Sequence, residues 1–316
     1  MKSLLMLLIV PLMIYAEVLP QDFSSTQVDG RLNKMNGDTA EYVMHKLFKK
    51  NGWSQIHGEV GSNGIDGLYV KYDKNGNVRQ VMVAESKYGN ANLGTNKYGT
   101  PEKNVKQMSQ KALGYQVENL MKDNEKKLQE AIASNDKAKI KEYRLLQKQY
   151  SQIGKHIEKG NYKARLFHLK MEGNTLSFNV KKILPNGETS ILKQSLFGRE
   201  NYKFNGLKID FDNPKTKFEK SLVKYYNHGR YKALQKNFGF SSLEAKALIS
   251  KKGKLLQGDI EKAISIRKYI FNSVQREYRS TLRQFRGSYK DLYKLKQKIH
   301  IKWKKKWFKL LRKSIK

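Results

Sequence analysis

The feature that most constrains this chain is a short hairpin signal. Asp73-Lys74-Asn75-Gly76-Asn77 separates two apolar segments, Leu68-Tyr69-Val70 and Val78 to Ala84, and Asn-Gly is the strongest short turn signal between strands. A glycine-rich stretch, Gly61-Ser62-Asn63-Gly64-Ile65-Asp66-Gly67, leads into the hairpin, and Glu85-Ser86-Lys87 ends it. Residues two apart on a strand share a face, so Glu85 and Lys87 project together. Antiparallel pairing lets Asp66 approach them from the neighbouring strand. Two carboxylates and an ammonium gathered in this way suit the holding of a divalent cation and the activation of water.

The chain has 316 residues, enough for two domains with separate cores. Its 63 Lys and Arg against 28 Asp and Glu give a formal charge of +35, which drives a protein toward polyanions through counterion release. Nucleic acid is the first such partner, and an anionic membrane or surface polymer the second. With no cysteine, disulfides and thiolate metal sites are excluded. Lys2, the apolar run Leu4 to Tyr15 and the small residue Ala16 have the layout of a secretory signal peptide spanning residues 1–16. The run is short for a membrane-spanning helix and contains Pro11. Export to the periplasm or the cell exterior is the expectation.

Residues 17–35 read as a polar linker. Asp38-Thr39-Ala40-Glu41 has capping-box spacing and predicts a helix start at Asp38, with Ala40, Val43, Met44 and Leu47 as its apolar stripe. Trp53 to Val60 reads as a short strand. A Gly/Asn-rich loop follows Lys87, and Pro101 suits the first turn of the next helix. Glu102 to Glu158 reads as two helices broken at Ser134-Asn135-Asp136, a charged hairpin mostly in solvent. Ala164 to Lys170, Thr175 to Ile183 and Ser190 to Phe197 read as strands joined by Gly-containing turns. From Asn213-Pro214 onward the pattern is helical and basic. The last helix repeats Leu292, Leu295, Ile299, Trp303, Trp307 and Leu310 at steps of three or four, and residues 301–316 hold eight Lys or Arg and no acid. Such a helix either lies on a membrane surface or packs on its domain while Lys302, Lys304, Lys305, Lys306, Lys309, Arg312 and Lys313 face phosphates. The basic character of the whole chain favours the second.

Taken singly, Asp66 reads equally well as a turn aspartate, Glu85 with Lys87 as a strand-end pair, Glu41 as a cap partner and Gln107 as a helix-surface glutamine. Taken together, helical Glu41, then Gly64-Ile65-Asp66-Gly67, then Glu85-Ser86-Lys87 resembles the PD-(D/E)xK nuclease superfamily. The wording Glu85-Ser86-Lys87-Tyr88-Gly89 followed by Gln107-Met108-Ser109 is most similar to the nuclease domains of bacterial polymorphic toxins. The resemblance covers residues 36 to about 120 and departs from the family pattern at Gly64-Ile65, where a proline-containing dipeptide is usual.

The resemblance implies an α/β (α+β) restriction-endonuclease-like core over residues 36–200. Its central mixed sheet would be flanked by helices, with a helical-hairpin insertion over about 119–160. The resemblance does not reach the C-terminal third, where the charge and helical pattern themselves predict a basic all-α nucleic-acid-binding region over 201–316. It further implies Mg²⁺ or Mn²⁺ held by Asp66 and Glu85, with Glu41 joining directly or through water, and catalytic roles for Glu41, Asp66, Glu85, Lys87 and Gln107. Lys87 would orient water or stabilise negative charge, and Gln107 would steady Lys87 or touch the scissile phosphate. The implied substrate is DNA in preference to RNA. A non-enzymatic cationic binder of nucleic acid or membrane stays open. The six histidines show no HxxxH or HNH-like spacing, and P-loop, G-x-S-x-G and dinucleotide fingerprints are lacking.

Overall fold

The computed structural model describes residues 23–56, 65–96, 104–192, 206–250 and 253–314. The expected signal peptide, Gly61 to Gly64 and Pro101 lie outside the described residues. By contacts the chain forms two compact units, Gly37–Gly229 and a second one made of residues 1–36 with Arg230–Lys316. Among the described residues no helix is long and apolar enough to cross a membrane.

The first unit is built on a mixed, open, seven-stranded sheet in the order β1-β2-β3-β6-β7-β8, with β9 pairing β7 as well. The strands are β1 (Ser54–Gln55), β2 (Gly67–Tyr72), β3 (Val78–Tyr88), β6 (Lys163–Glu172), β7 (Thr175–Ile183), β8 (Thr189–Ile191) and β9 (Leu207–Asp210). A separate two-stranded ribbon joins β4 (Thr95–Asn96) to β5 (Val105–Lys106). β2 and β3 form the expected hairpin. Asp73 closes its turn by accepting from the amides of Asn75 and Asn77 at 2.8 and 2.9 Å, and Gly76 supplies the positive φ of 75° that a side chain would resist. β3 and β6 pair in parallel, with Glu85 opposite Leu166 and Lys87 opposite His168, whereas the other neighbours in the sheet are antiparallel.

Alternation along the central strands loads both faces of the sheet, as expected for a sheet covered on both sides. Met82 and Ala84 of β3, Phe167 and Leu169 of β6, and Phe178 and Val180 of β7 face one core. That core is closed by Val43, Met44, Leu47 and Phe48 of α1 (Ser25–Lys50) and by Phe218, Leu222 and Tyr226 of α4 (Lys217–Phe238). Val81 and Val83 of β3 and Leu166 of β6 face the opposite core with Leu113 and Val117 of α2 (Gln110–Ala133) and Tyr150, Ile153 and Ile157 of α3 (Lys137–Glu158). The unit is therefore three layers, helices–sheet–helices. The α2–α3 hairpin, expected to stand mostly in solvent, forms one of these layers at its base.

Three expectations fail at particular residues. α1 starts at Ser25, inside the segment read as a linker, because Val28, Leu32 and Met35 recur at i, i+4 and i+7 and are buried in the second unit's core. Asp38 and Glu41 accordingly lie within a helix and do not form a cap. α2 begins only at Gln110, where Ser109 caps it by accepting from the Ala112 amide, so Gln107 precedes the helix instead of riding on it.

The second unit gathers α5 (Ser242–Ile249), α6 (Gln257–Gln284) and α7 (Tyr289–Ser314) with the ends of α1 and α4. Glu244 is buried there against Arg267, at 2.5 and 3.0 Å, and caps α5 through Ser241. The apolar stripe of α7 is spent on packing: Ile299 and Trp303 are buried against Ile270 of α6, with Leu295, Trp307 and Leu310 beside them.

Phe48 lies at the centre of the α1 layer, stacked on Tyr69 at 4.2 Å and edge-on to Phe167 at 5.2 Å. Phe48→Ala is expected to destabilise the protein by about 3–5 kcal/mol, read as a lower urea midpoint. A cost below about 1 kcal/mol would show that this aromatic cluster does not hold the layer.

Candidate active site

The end of β3 carries the candidate site. Register pairs Gly67 with Ala84, so the next step outward sets Asp66 opposite Glu85. Glu85 is 2% exposed, an environment in which a carboxylate needs compensation. One oxygen, Oε1, receives it twice: Lys87 Nζ donates at 2.6 Å and Gln107 Nε2 donates at 2.6 Å. The other oxygen, Oε2, is buried without a hydrogen-bond partner among the described residues. Lys87 itself keeps 21% of its side chain exposed.

Asp66 is fixed by the residue between Glu85 and Lys87. The Ser86 amide and hydroxyl both donate to Asp66 Oδ2, at 2.8 and 3.0 Å. Burial pushes the Asp66 carboxyl above its usual range, against the opposing pull of the Ser86 bonds and the Lys87 charge. For Glu85, burial acts first and the Asp66 charge adds to it. Lys87 resists, and the result is a carboxyl raised from 4.5 to about 7.

Gln107 is placed by unusual backbone. Its own amide donates to the Gly94 carbonyl at 3.0 Å, and its Oε1 accepts from the Gly94 amide at 3.3 Å. The following residue, Met108, is buried and has a φ of +64°, a left-handed conformation uncommon outside glycine and costly for a bulky side chain. That kink delivers Gln107 to Glu85 Oε1, the same oxygen that Lys87 bonds.

Behind Asp66 stands Tyr69, and two residues that sequence reasoning left without roles meet there. The Tyr69 hydroxyl bonds His45 Nδ1. Burial, then the charges of Asp66 and Glu41, raise the phenol far above its ordinary value. Burial lowers the His45 pKa, so this imidazole is neutral at pH 7. His45 follows Glu41 by four residues and shares its helix face, a spacing visible in the sequence. Ser86 was visible too, as the variable position of the Glu-x-Lys element.

Among the described residues no three carboxylate or imidazole side chains are grouped to hold a metal ion. Asp66 and Glu85 are the acidic pair the fold brings together. Their chemistry fits a hard divalent cation: both are oxygen donors, they repel one another, and one buried carboxylate oxygen lacks a hydrogen-bond partner among the described residues. Of the basic residues expected at the C-terminus, Lys302 is paired with Glu277 at 2.9 Å and Lys306 lies over the Trp303 ring at 4.5 Å. Lys304, Lys305, Lys309 and Lys313 are exposed, and the side chain of Arg312 is outside the described residues.

A scan of protein-family models, a search of curated proteins and a search of solved structures each found no match to this chain.

Two outcomes follow from this geometry. A Cβ at Gly67 would stand 2.4 Å from Cε2 and 2.7 Å from the hydroxyl oxygen of Tyr69, whose ring is held by Phe48 and His45. Gly67→Ala is therefore expected to cost about 1–3 kcal/mol, measured by urea unfolding; a neutral substitution would mean that Tyr69 moves freely. In chelator, the raised Glu85 pKa links stability to protons. That contribution, about 3 kcal/mol, is complete below 4.5 and is lost as pH rises through about 7. Glu85→Gln should flatten the fall in stability between about pH 4.5 and 7. An undiminished slope would assign the linkage to another group.

Proposed function

We propose that the Gly37–Gly229 unit is a metal-dependent nuclease of the restriction-endonuclease-like type, hydrolysing phosphodiester bonds of DNA in preference to RNA without strong sequence preference. We further propose that the chain is exported before it acts. The observation that carries the reading is Glu85. It is a buried carboxylate with one oxygen shared by Lys87 and Gln107, the other oxygen unpartnered among the described residues, and Asp66 close enough to raise its pKa. A carboxylate held this way is expensive for stability alone and is the arrangement expected of a cation ligand. The excess of positive charge, +35, supports a polyanionic substrate.

Asp66 and Glu85 would hold Mg²⁺ or Mn²⁺, which when bound supplies a water of lowered pKa and neutralises charge building on the phosphate. The protein's own groups do the rest. Ser86 fixes Asp66 through two donors, so the carboxylate does not have to reorganise. Gln107 and Lys87 together orient Glu85. Lys87, part exposed, is positioned to orient the attacking water or to meet negative charge on the phosphoryl oxygens. Water oxygen adds to phosphorus as a bridging P–O bond breaks; the water's proton passes to solvent, and solvent protonates the departing oxygen, which leaves as a hydroxyl. Glu41, whose charge is felt at Tyr69, would join the metal shell directly or through water.

Plasmid DNA incubated with the purified protein is expected to be degraded with Mg²⁺ or Mn²⁺ and spared in EDTA. Asp66→Ala, Glu85→Ala and Lys87→Ala should each lower the rate by at least about 100-fold while keeping the circular dichroism spectrum. Retardation of DNA with no cleavage in any metal would overturn the enzymatic reading and leave a cationic nucleic-acid binder. Faster loss of total RNA than of plasmid would reverse the substrate order.

A further inference from the structure

The α1–α4 layer carries a second basic feature that the cleavage chemistry does not use. A groove of about 400 Å³ is lined by Tyr42, Lys46, Lys49 and Lys50 of α1 and by Lys224, Tyr225 and His228 of α4. No lining residue is acidic. Tyr42, Lys46 and Lys49 fall at i, i+4 and i+7, and Lys224 and His228 at i and i+4, so one stripe of each helix faces the groove.

Its floor is aromatic. The rings of Tyr42 and His228 lie 5.4 Å apart, tilted by 36°, and the Lys46 ammonium sits 5.3 Å above the Tyr42 ring. The helices come together beneath this floor because Gly229 has no side chain. A Cβ there would lie 3.2 Å from Tyr42 Cδ1 and 3.3 Å from Thr39 Cγ2. Next to this stripe on α1 is the one bearing His45, whose Nδ1 bonds the hydroxyl of Tyr69, three residues along the chain from Asp66.

Four lysines placed around a shallow aromatic floor are costly to hold near one another in a protein already at +35, because like charges repel. The rims are solvated: Lys49, Lys50, Lys224 and His228 are exposed. A polyanion with flat, stackable groups answers both features, with phosphates on the ammonium rim and a base or sugar against the rings.

We propose that this groove binds the sugar–phosphate backbone of a nucleic acid and so delivers a strand along α1 toward the Asp66–Glu85 site. The binding step stands without catalysis, and the proposed nuclease activity enters only in naming the direction of delivery.

The test uses the full chain in EDTA, where binding is read apart from cleavage. Fluorescence anisotropy of a labelled DNA duplex is followed over a salt series. The variant Lys46→Gln/Lys49→Gln/Lys50→Gln/Lys224→Gln is compared with a control of equal charge loss on the exposed hairpin, Lys126→Gln/Lys127→Gln/Lys137→Gln/Lys141→Gln. Because each neutralised phosphate contributes about 0.9 to the log–log salt slope, the groove variant should lose up to about 3.6 from its slope. Its affinity should fall by at least about 10-fold at moderate salt, with the control within about threefold of wild type. Equal losses in the two variants would overturn the proposal in favour of diffuse attraction. So would a groove variant that binds DNA normally but releases vesicles containing phosphatidylserine. A loss of binding confined to the groove variant supports the proposal even where plasmid is never cleaved, so its fate is separable from that of the nuclease reading.

Discussion

Burying the carboxylate of Glu85 is the constraint to which the rest of the first unit answers. A charge withdrawn from water at the end of a central strand is tolerated only with donors and counter-charge at hand. Lys87 comes from the same strand and face. Gln107 comes from a distant segment, brought in by a left-handed Met108 and a ribbon between Thr95–Asn96 and Val105–Lys106. Asp66 comes from the adjacent strand and makes matters worse, raising the pKa further. The two helical layers then exclude solvent from both sides of β3. Stability would be served better by an apolar residue at position 85. Sites of this kind, where a structure departs from the most stable solution, are where function is usually found.

Much of this was legible because it is local. The β2–β3 hairpin follows from Asn75-Gly76 between apolar runs, and its register is what sets Asp66 opposite Glu85. The break at Ser134-Asn135-Asp136 marks the α2–α3 turn, where Asp136 caps α3 by accepting from the Lys139 amide. The pattern around α1 misled. Asp38 and Glu41 have capping spacing, yet tertiary burial of Val28, Leu32 and Met35 carries the helix through them, and Gly30 and Gly37 disguise its length. Local preference lost to packing.

What could not be read is what only the third dimension supplies. Nothing in the wording of β3 and β6 announces that they lie side by side in parallel, and β9 is too short to stand out. Gln107 was singled out by resemblance and assumed to ride on a helix. Its role toward Glu85 depends on one strained dihedral that no periodicity encodes. His45 and Tyr69 were within reach of a closer reading, since one shares a helix face with Glu41 and the other lies three residues beyond Asp66. Scattered histidines with no metal spacing gave little reason to look.

The parallel junction of β3 with β6 has a consequence for how the molecule matures. The hairpin that bears Asp66, Glu85 and Lys87 forms from neighbours in sequence, but its second sheet partner arrives only after residues 89–162, which include both helices of the α2–α3 layer. Pairings across such long separations are slow, since loop closure must precede the contacts that reward it. A chain emerging from the ribosome therefore displays the acidic pair and its lysine well before the environment that tunes them exists. The surroundings of Glu85 are completed late, by a strand distant in sequence from the hairpin, and the order of synthesis itself delays their completion.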